Sequence, residues 1–156
     1  MSRTTIPEAL RRQVLEDAGH RCGYCQSDEL LTGIPLSTEH LLPVAAGGPT
    51  VRDNLWRSCR PCNELKGTQT HAVDPETGEI APLFNPRTQS WHTHLRWSDD
   101  GTVLLGITPS GRATIEALQL NRPMLRSARR RWVLVGWHPP GTQPDPAGSE
   151  VAEGPL

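Results

Sequence analysis

Thr38-Glu39-His40-Leu41-Leu42-Pro43, then Gly47-Gly48, Asn54-Leu55 and Cys59-Arg60-Pro61-Cys62-Asn63-Glu64-Leu65-Lys66, is the stretch whose reading decides the fold. A carboxylate beside a histidine, a later asparagine and a cysteine pair followed by Asn63 fall within about one supersecondary unit. Ser37–Val44 reads as extended and stops at Pro43. Residues 45–49, with Gly47, Gly48 and Pro49, read as a turn, and Arg52–Ser58 leads to the cysteine pair. A short helix is expected from Cys62 to about Thr68. The unit is therefore strand, loop, strand, helix.

A second Cys-x-x-Cys pair, Cys22 and Cys25, stands just upstream. All four cysteines lie before residue 63, and all belong to such pairs. Two matched pairs supply four thiolates, the usual ligand set of a closed structural zinc site. A redox pair would need only one such motif at a helix start, and four inert thiols would not favour this spacing. Cys22, Cys25, Cys59 and Cys62 are thus expected to hold Zn²⁺. The long separation from Cys25 to Cys59 leaves room for a functional unit between the knuckles.

Neighbours on a strand point to opposite faces, so Glu39 and His40 would do different work. Glutamate suits a hard divalent cation, while histidine, with a pKa near about 6.5, can be a neutral base at neutral pH. Asn63 can present its amide oxygen to the same cation. Lys66, three residues on, lies on the same helical side and is placed to meet phosphate. Singly, each has a bland reading: an exposed strand pair, a turn asparagine, a helix cap. Their order between two knuckles argues for a joint function.

These residues resemble the HNH endonuclease family, the ββα-metal nucleases, in the branch braced by two Cys-x-x-Cys knuckles. The resemblance spans about Arg21 to Thr68. It implies Glu39 and Asn63 as ligands of one catalytic divalent ion, expected to be Mg²⁺, with Mn²⁺ or another transition metal as alternatives. It implies His40 as general base and Asn54 as the residue that pins the loop between the strands. Many members carry histidine where this chain has Asn63. The implied activity is hydrolysis of phosphodiester bonds, in double-stranded DNA first of all, leaving 5′-phosphate and 3′-hydroxyl ends.

Upstream, Thr5 and Glu8 have capping-box spacing, and Ile6, Leu10, Val14 and Ala18 recur at helical intervals before Gly19. A helix is expected over residues 6–18. Downstream, residues 71–86 are acidic and rich in Pro and Gly, with a turn at Asp74–Gly78. Trp91–Trp97 and Val103–Ile107 read as a β-hairpin around Asp100-Gly101. Two imidazoles, His92 and His94, would share a strand face there, too few for a metal site. A helix should begin near Gly111 or Arg112, and another near Pro123. In the latter Met124, Leu125, Ala128 and Trp132 would face inward, and Arg126, Arg129 and Arg130 outward. The fold class is α+β, with a core over 1–70, an extension over 71–137 packed on it, and a disordered tail over 138–156.

Net charge is −1, so bulk charge points to no partner, but residues 101–140 hold six arginines against one acid. Arg87, Arg126, Arg129 and Arg130 are candidate nucleic-acid contacts. That patch motivates the alternative of a non-catalytic zinc-dependent nucleic-acid-binding module. A protein–protein adaptor anchored by Trp91, Trp97, Trp132 and Trp137 ranks below it, since tryptophans of so small a domain belong to its core. No apolar run approaches the ~20 residues of a membrane helix, and the expected location is cytoplasmic.

Overall fold

A computed structural model describes residues 5–141. The first helix, α1 (Glu8–Ala18), closes with Gly19 in the left-handed conformation, its N–H bonded to Leu15 O. The capping box does not form. Pro7 occupies the cap position without a side-chain bond, and Glu8 pairs with Arg12 one turn on instead. After the first cysteine pair comes a four-residue helix, α2 (Glu29–Thr32). Asp28 caps it through Leu30 N, and Gly33 at φ 71° ends it. One turn is too short to leave a periodic signature.

The strand–loop–strand–helix unit is present. Strand β1 (Ser37–His40) pairs antiparallel with β2 (Leu55–Ser58), placing Glu39 opposite Trp56 and His40 opposite Leu55. One-turn 3-10 segments, Val44–Ala46 and Arg52–Asn54, flank the turn between them. Helix α3 (Arg60–Lys66) starts two residues before Cys62, because Pro61 in its first turn sacrifices no bonded N–H.

The extension begins with a hairpin of β3 (His71–Val73) and β4 (Ile80–Pro82) around the Asp74–Gly78 turn. Residues 91–97 are only half strand. Trp91–His94 form a helical turn, α4, and only Leu95–Trp97, β5, pairs with β6 (Leu104–Gly106). The burial of Trp91, whose indole N–H donates to Tyr24 O at 3.1 Å, accompanies this turn. His92 and His94 therefore do not share a strand face: His92 is exposed, and His94 bonds Thr108 at 2.7 Å.

Helices α5 (Pro109–Leu118) and α6 (Pro123–Leu134) complete the described fold. The apolar stripe of α6 is offset from expectation. Leu125 and Arg129 are buried, while Met124 is exposed. Of the tail expected from residue 138, positions 142–156 lie outside the described residues. His138 is buried, bonds Gly101 O at 2.8 Å and stacks edge-on against Trp97. No described helix is long and apolar enough to cross a membrane.

One core joins the knuckles to the extension. Cys22, Cys25, Cys62, Tyr24 and Leu36 pack in the same cluster as Phe84, Trp91, Leu95, Leu104, Leu118 and Leu125. Arg87 fastens the extension to β2 and α1: it bonds Asp17 at 2.8 Å and Leu55 O at 2.9 Å, and lies over Trp56. Gly23 is required for the same junction, since a Cβ there would strike the Trp56 ring and Pro86.

The β3–β4 turn is held by charge. Asp74 takes both arms of Arg112 at 2.9 Å, together with Glu76 N and Thr77 Oγ1. The Arg112 guanidinium leads these partners in holding the carboxyl far below the usual aspartate range. A depressed carboxylate stabilises the fold fully above its unfolded pKa of about 4 and loses that contribution as pH falls toward its folded value. The difference in melting temperature between the native chain and Arg112→Gln should thus be constant from pH 5 to 7, roughly, and shrink below about pH 4. A difference that grew on acidification would contradict this pairing.

Candidate functional site

The four cysteine Sγ atoms lie within 4.8 Å of one another, with Cys25 and Cys59 at 3.6 Å. Tetrahedral zinc with Zn–S bonds of about 2.3 Å needs sulfur separations near 3.8 Å, so the donor set fits Zn²⁺. Burial pushes the Cys22 thiol well up, whereas its bond to Cys22 holds Cys25 well down. So crowded a group cannot ionise throughout without a cation in its midst. The arrangement is the four-cysteine centre expected from the sequence.

Arg122 is a partner of that centre with no signal in the sequence. Its guanidinium lies 3.7 Å from Cys59 Sγ and 3.8 Å from Cys62 Sγ, braced by the Leu118 and Gln119 carbonyls at the end of α5. Zinc with four thiolates carries a net charge of about −2, which a nearby guanidinium offsets.

Glu39 and His40 diverge as strand neighbours should. Glu39 is buried and accepts a 2.6 Å bond from the Tyr24 hydroxyl. Burial raises its pKa, while the Lys66 charge and the Tyr24 bond pull the other way. His40 is half-buried on the other side, with Nε2 2.9 Å from Thr50 Oγ1, and desolvation lowers its pKa. Desolvation thus favours the neutral imidazole. Neither Tyr24 nor Thr50 carries a signal in the sequence, since each partnership is made by folding rather than spacing.

Asn54 ties three strands of chain together. Its Oδ1 accepts from Leu42 N at 2.9 Å, and its Nδ2 donates to Leu42 O and Pro49 O at 3.0 and 2.9 Å. Gly48 must lack a Cβ, which would collide with Leu42 O and the Asn54 amide. Asn63, immediately after Cys62 on α3, is half-buried, and its side chain makes no hydrogen bond to another described residue. Helix α3 packs on β1, the strand that carries Glu39. A carboxylate with an amide oxygen is an oxygen donor set that suits a hard cation, with water completing its shell.

Lys66, expected to meet phosphate, does not stand free to do so. It is buried, with Nζ donating to Leu41 O at 3.2 Å. The arginine patch also turns largely inward. Arg129 is completely buried, donating to Leu120 O, Thr102 O and Asn121, and its pKa falls to about 10 through burial. Arg112 belongs to Asp74 and Arg122 to the thiolates. Arg87 serves Asp17 and Trp56, and Arg126 is half-buried, so only Arg130 of the four candidate contacts is fully exposed. The free positive patch behind the binding-module alternative is correspondingly reduced. A cavity of about 350 Å³ opens between Leu41, Leu42, Lys66 and the 82–89 segment of the extension.

Residues 22–77 match the model of a family described as HNH endonuclease. No curated protein matches the chain.

Proposed function

From the HNH endonuclease segment carried at residues 22–77, we propose that the protein is a metal-dependent endonuclease that hydrolyses phosphodiester bonds in double-stranded DNA. The observation that carries this reading is the divergence of Glu39 and His40 on β1, one buried beneath α3, the other held neutral beside Thr50. His40 removes a proton from water aligned with the scissile phosphorus. Thr50 orients the imidazole, and Asn54 fixes the loop that brings Thr50 to it. Glu39 and Asn63 would hold the divalent cation, with Mg²⁺ as the first candidate. When bound, that ion supplies positive charge to the phosphate and to the departing 3′ oxygen. Lys66, inside the fold, supports Glu39 electrostatically rather than gripping substrate. Tyr24 fixes the Glu39 carboxylate from the knuckle side.

The test is nicking of supercoiled plasmid with Mg²⁺, Mn²⁺ or Zn²⁺ added, followed by mapping of the ends. Cleavage that requires added metal, vanishes in Glu39→Ala and leaves nicks a DNA ligase reseals directly is the expected result. Cleavage surviving in Glu39→Ala, or 3′-phosphate ends, would refute the assignment.

A further inference from the structure

The cavity beside the motif is built from two parts of the chain. One wall belongs to the motif and adjoins Glu39 and His40 in sequence: Leu41, Leu42, Asn54 and Lys66. The other is the extension from Pro82 to Gln89. At about 350 Å³ it falls within the range of small-ligand sites, roughly 300–1,000 Å³. We propose that this cavity receives a single unpaired nucleobase next to the scissile phosphodiester, so that the extension selects the substrate. The proposal rests on the nuclease reading above.

The chemistry of the lining supports a neutral heterocycle. No Asp, Glu or Arg lines the cavity, and its one cation, Lys66, is engaged by Leu41 O. A phosphate would need free cations or converging N–H groups. The polar lining is instead rich in carboxamides, which read base edges through paired donors and acceptors.

Those amides are also oriented. Gln89 Oε1 accepts from Asn85 N at 2.9 Å, and Asn85 Oδ1 accepts from Arg87 N and Thr88 N at 2.9 and 3.3 Å. Backbone N–H donors fix which atom of each amide is oxygen, leaving both NH₂ groups unengaged by described residues. Gln69 is the converse: its Nε2 donates to Leu65 O at 3.0 Å, leaving an acceptor. Leu42, 40% exposed, and the exposed Pro82 supply apolar walls against a base face. Inside a duplex these edges and faces are occupied by pairing and stacking, so the base that enters must be unpaired.

The experiment compares duplexes that differ by one unpaired 2-aminopurine, using His40→Ala protein so that binding is read without cleavage. The bulged duplex is expected to bind about tenfold tighter than the paired one, the discrimination a fixed amide contact supplies. Its 2-aminopurine fluorescence should change on binding. Thr88→Trp, which fills the cavity, should bring the ratio close to one; Gln69→Ala, which removes only an acceptor, should lower it partway. Zinc content and circular dichroism check that each variant folds, and Gln69→Ala carries the test if Thr88→Trp does not. A ratio of one in the starting protein, or a ratio unmoved by both variants, overturns the proposal. Cleavage by the native chain with no such preference would sink the pocket alone. Absence of cleavage with the preference intact would sink the nuclease reading and leave the pocket.

Discussion

His40→Ala should slow metal-dependent cleavage by roughly 10²–10⁴-fold, the range in which a positioned general base contributes. The loss should appear without a change in melting temperature or zinc content. His40 is half-buried at the end of β1, and its only side-chain bond to another described residue is to Thr50. It contributes little to the core, which lies on the Glu39 side. Binding of the divalent cation should survive, because Glu39 and Asn63 remain. Glu39→Ala should lose cation binding as well as cleavage, which separates the two roles. Addition of free imidazole should restore part of the His40→Ala rate. A loss smaller than about threefold would remove His40 from the reaction, since a general base is worth far more.

Removal of zinc should have the largest structural effect. Structural zinc sites supply about 10–16 kcal/mol of binding free energy, as much as the whole stability of a small domain. Three of the four cysteines are fully buried in the cluster that also holds Phe84, Trp91 and Leu118. A strong chelator, or Cys62→Ser, is therefore expected to unfold the extension together with the motif, seen as loss of Trp91 burial by fluorescence. Arg122→Gln should be milder, weakening zinc retention by about 10–100-fold in competition with a chromophoric chelator, as outer-shell partners do. Folded protein after zinc removal, with unchanged tryptophan emission, would show that the cysteines are not the brace.

The sequence made the local parts of this molecule readable and left the long-range parts dark. The two knuckles, the paired strands and α3 were legible because metal ligands and turn residues impose short, fixed spacings. Asn54 owes its expected role to the family resemblance rather than to spacing, and its three bonds all reach residues within a dozen positions. The fate of the arginines was not. Arg129 sits where a helical count places a solvent-facing residue, yet it is buried because the Leu120, Thr102 and Asn121 oxygens converge on it from the preceding loops. Lys66 is a second case: a lysine at the end of a short helix is ordinarily wet, but Leu41 O, from β1's continuation, accepts from its ammonium. Only tertiary packing decides such cases.

The shared core has a consequence for modular inheritance. The family match ends at residue 77, yet the thiolate centre leans on Arg122, Phe84 and Leu118 from beyond that limit. A gene fusion that transplanted the matched segment alone would carry all four cysteines and none of the hydrophobic half that covers them from beyond it. In this chain the matched segment is not a cassette: it and its extension must be inherited, and exchanged, as one piece.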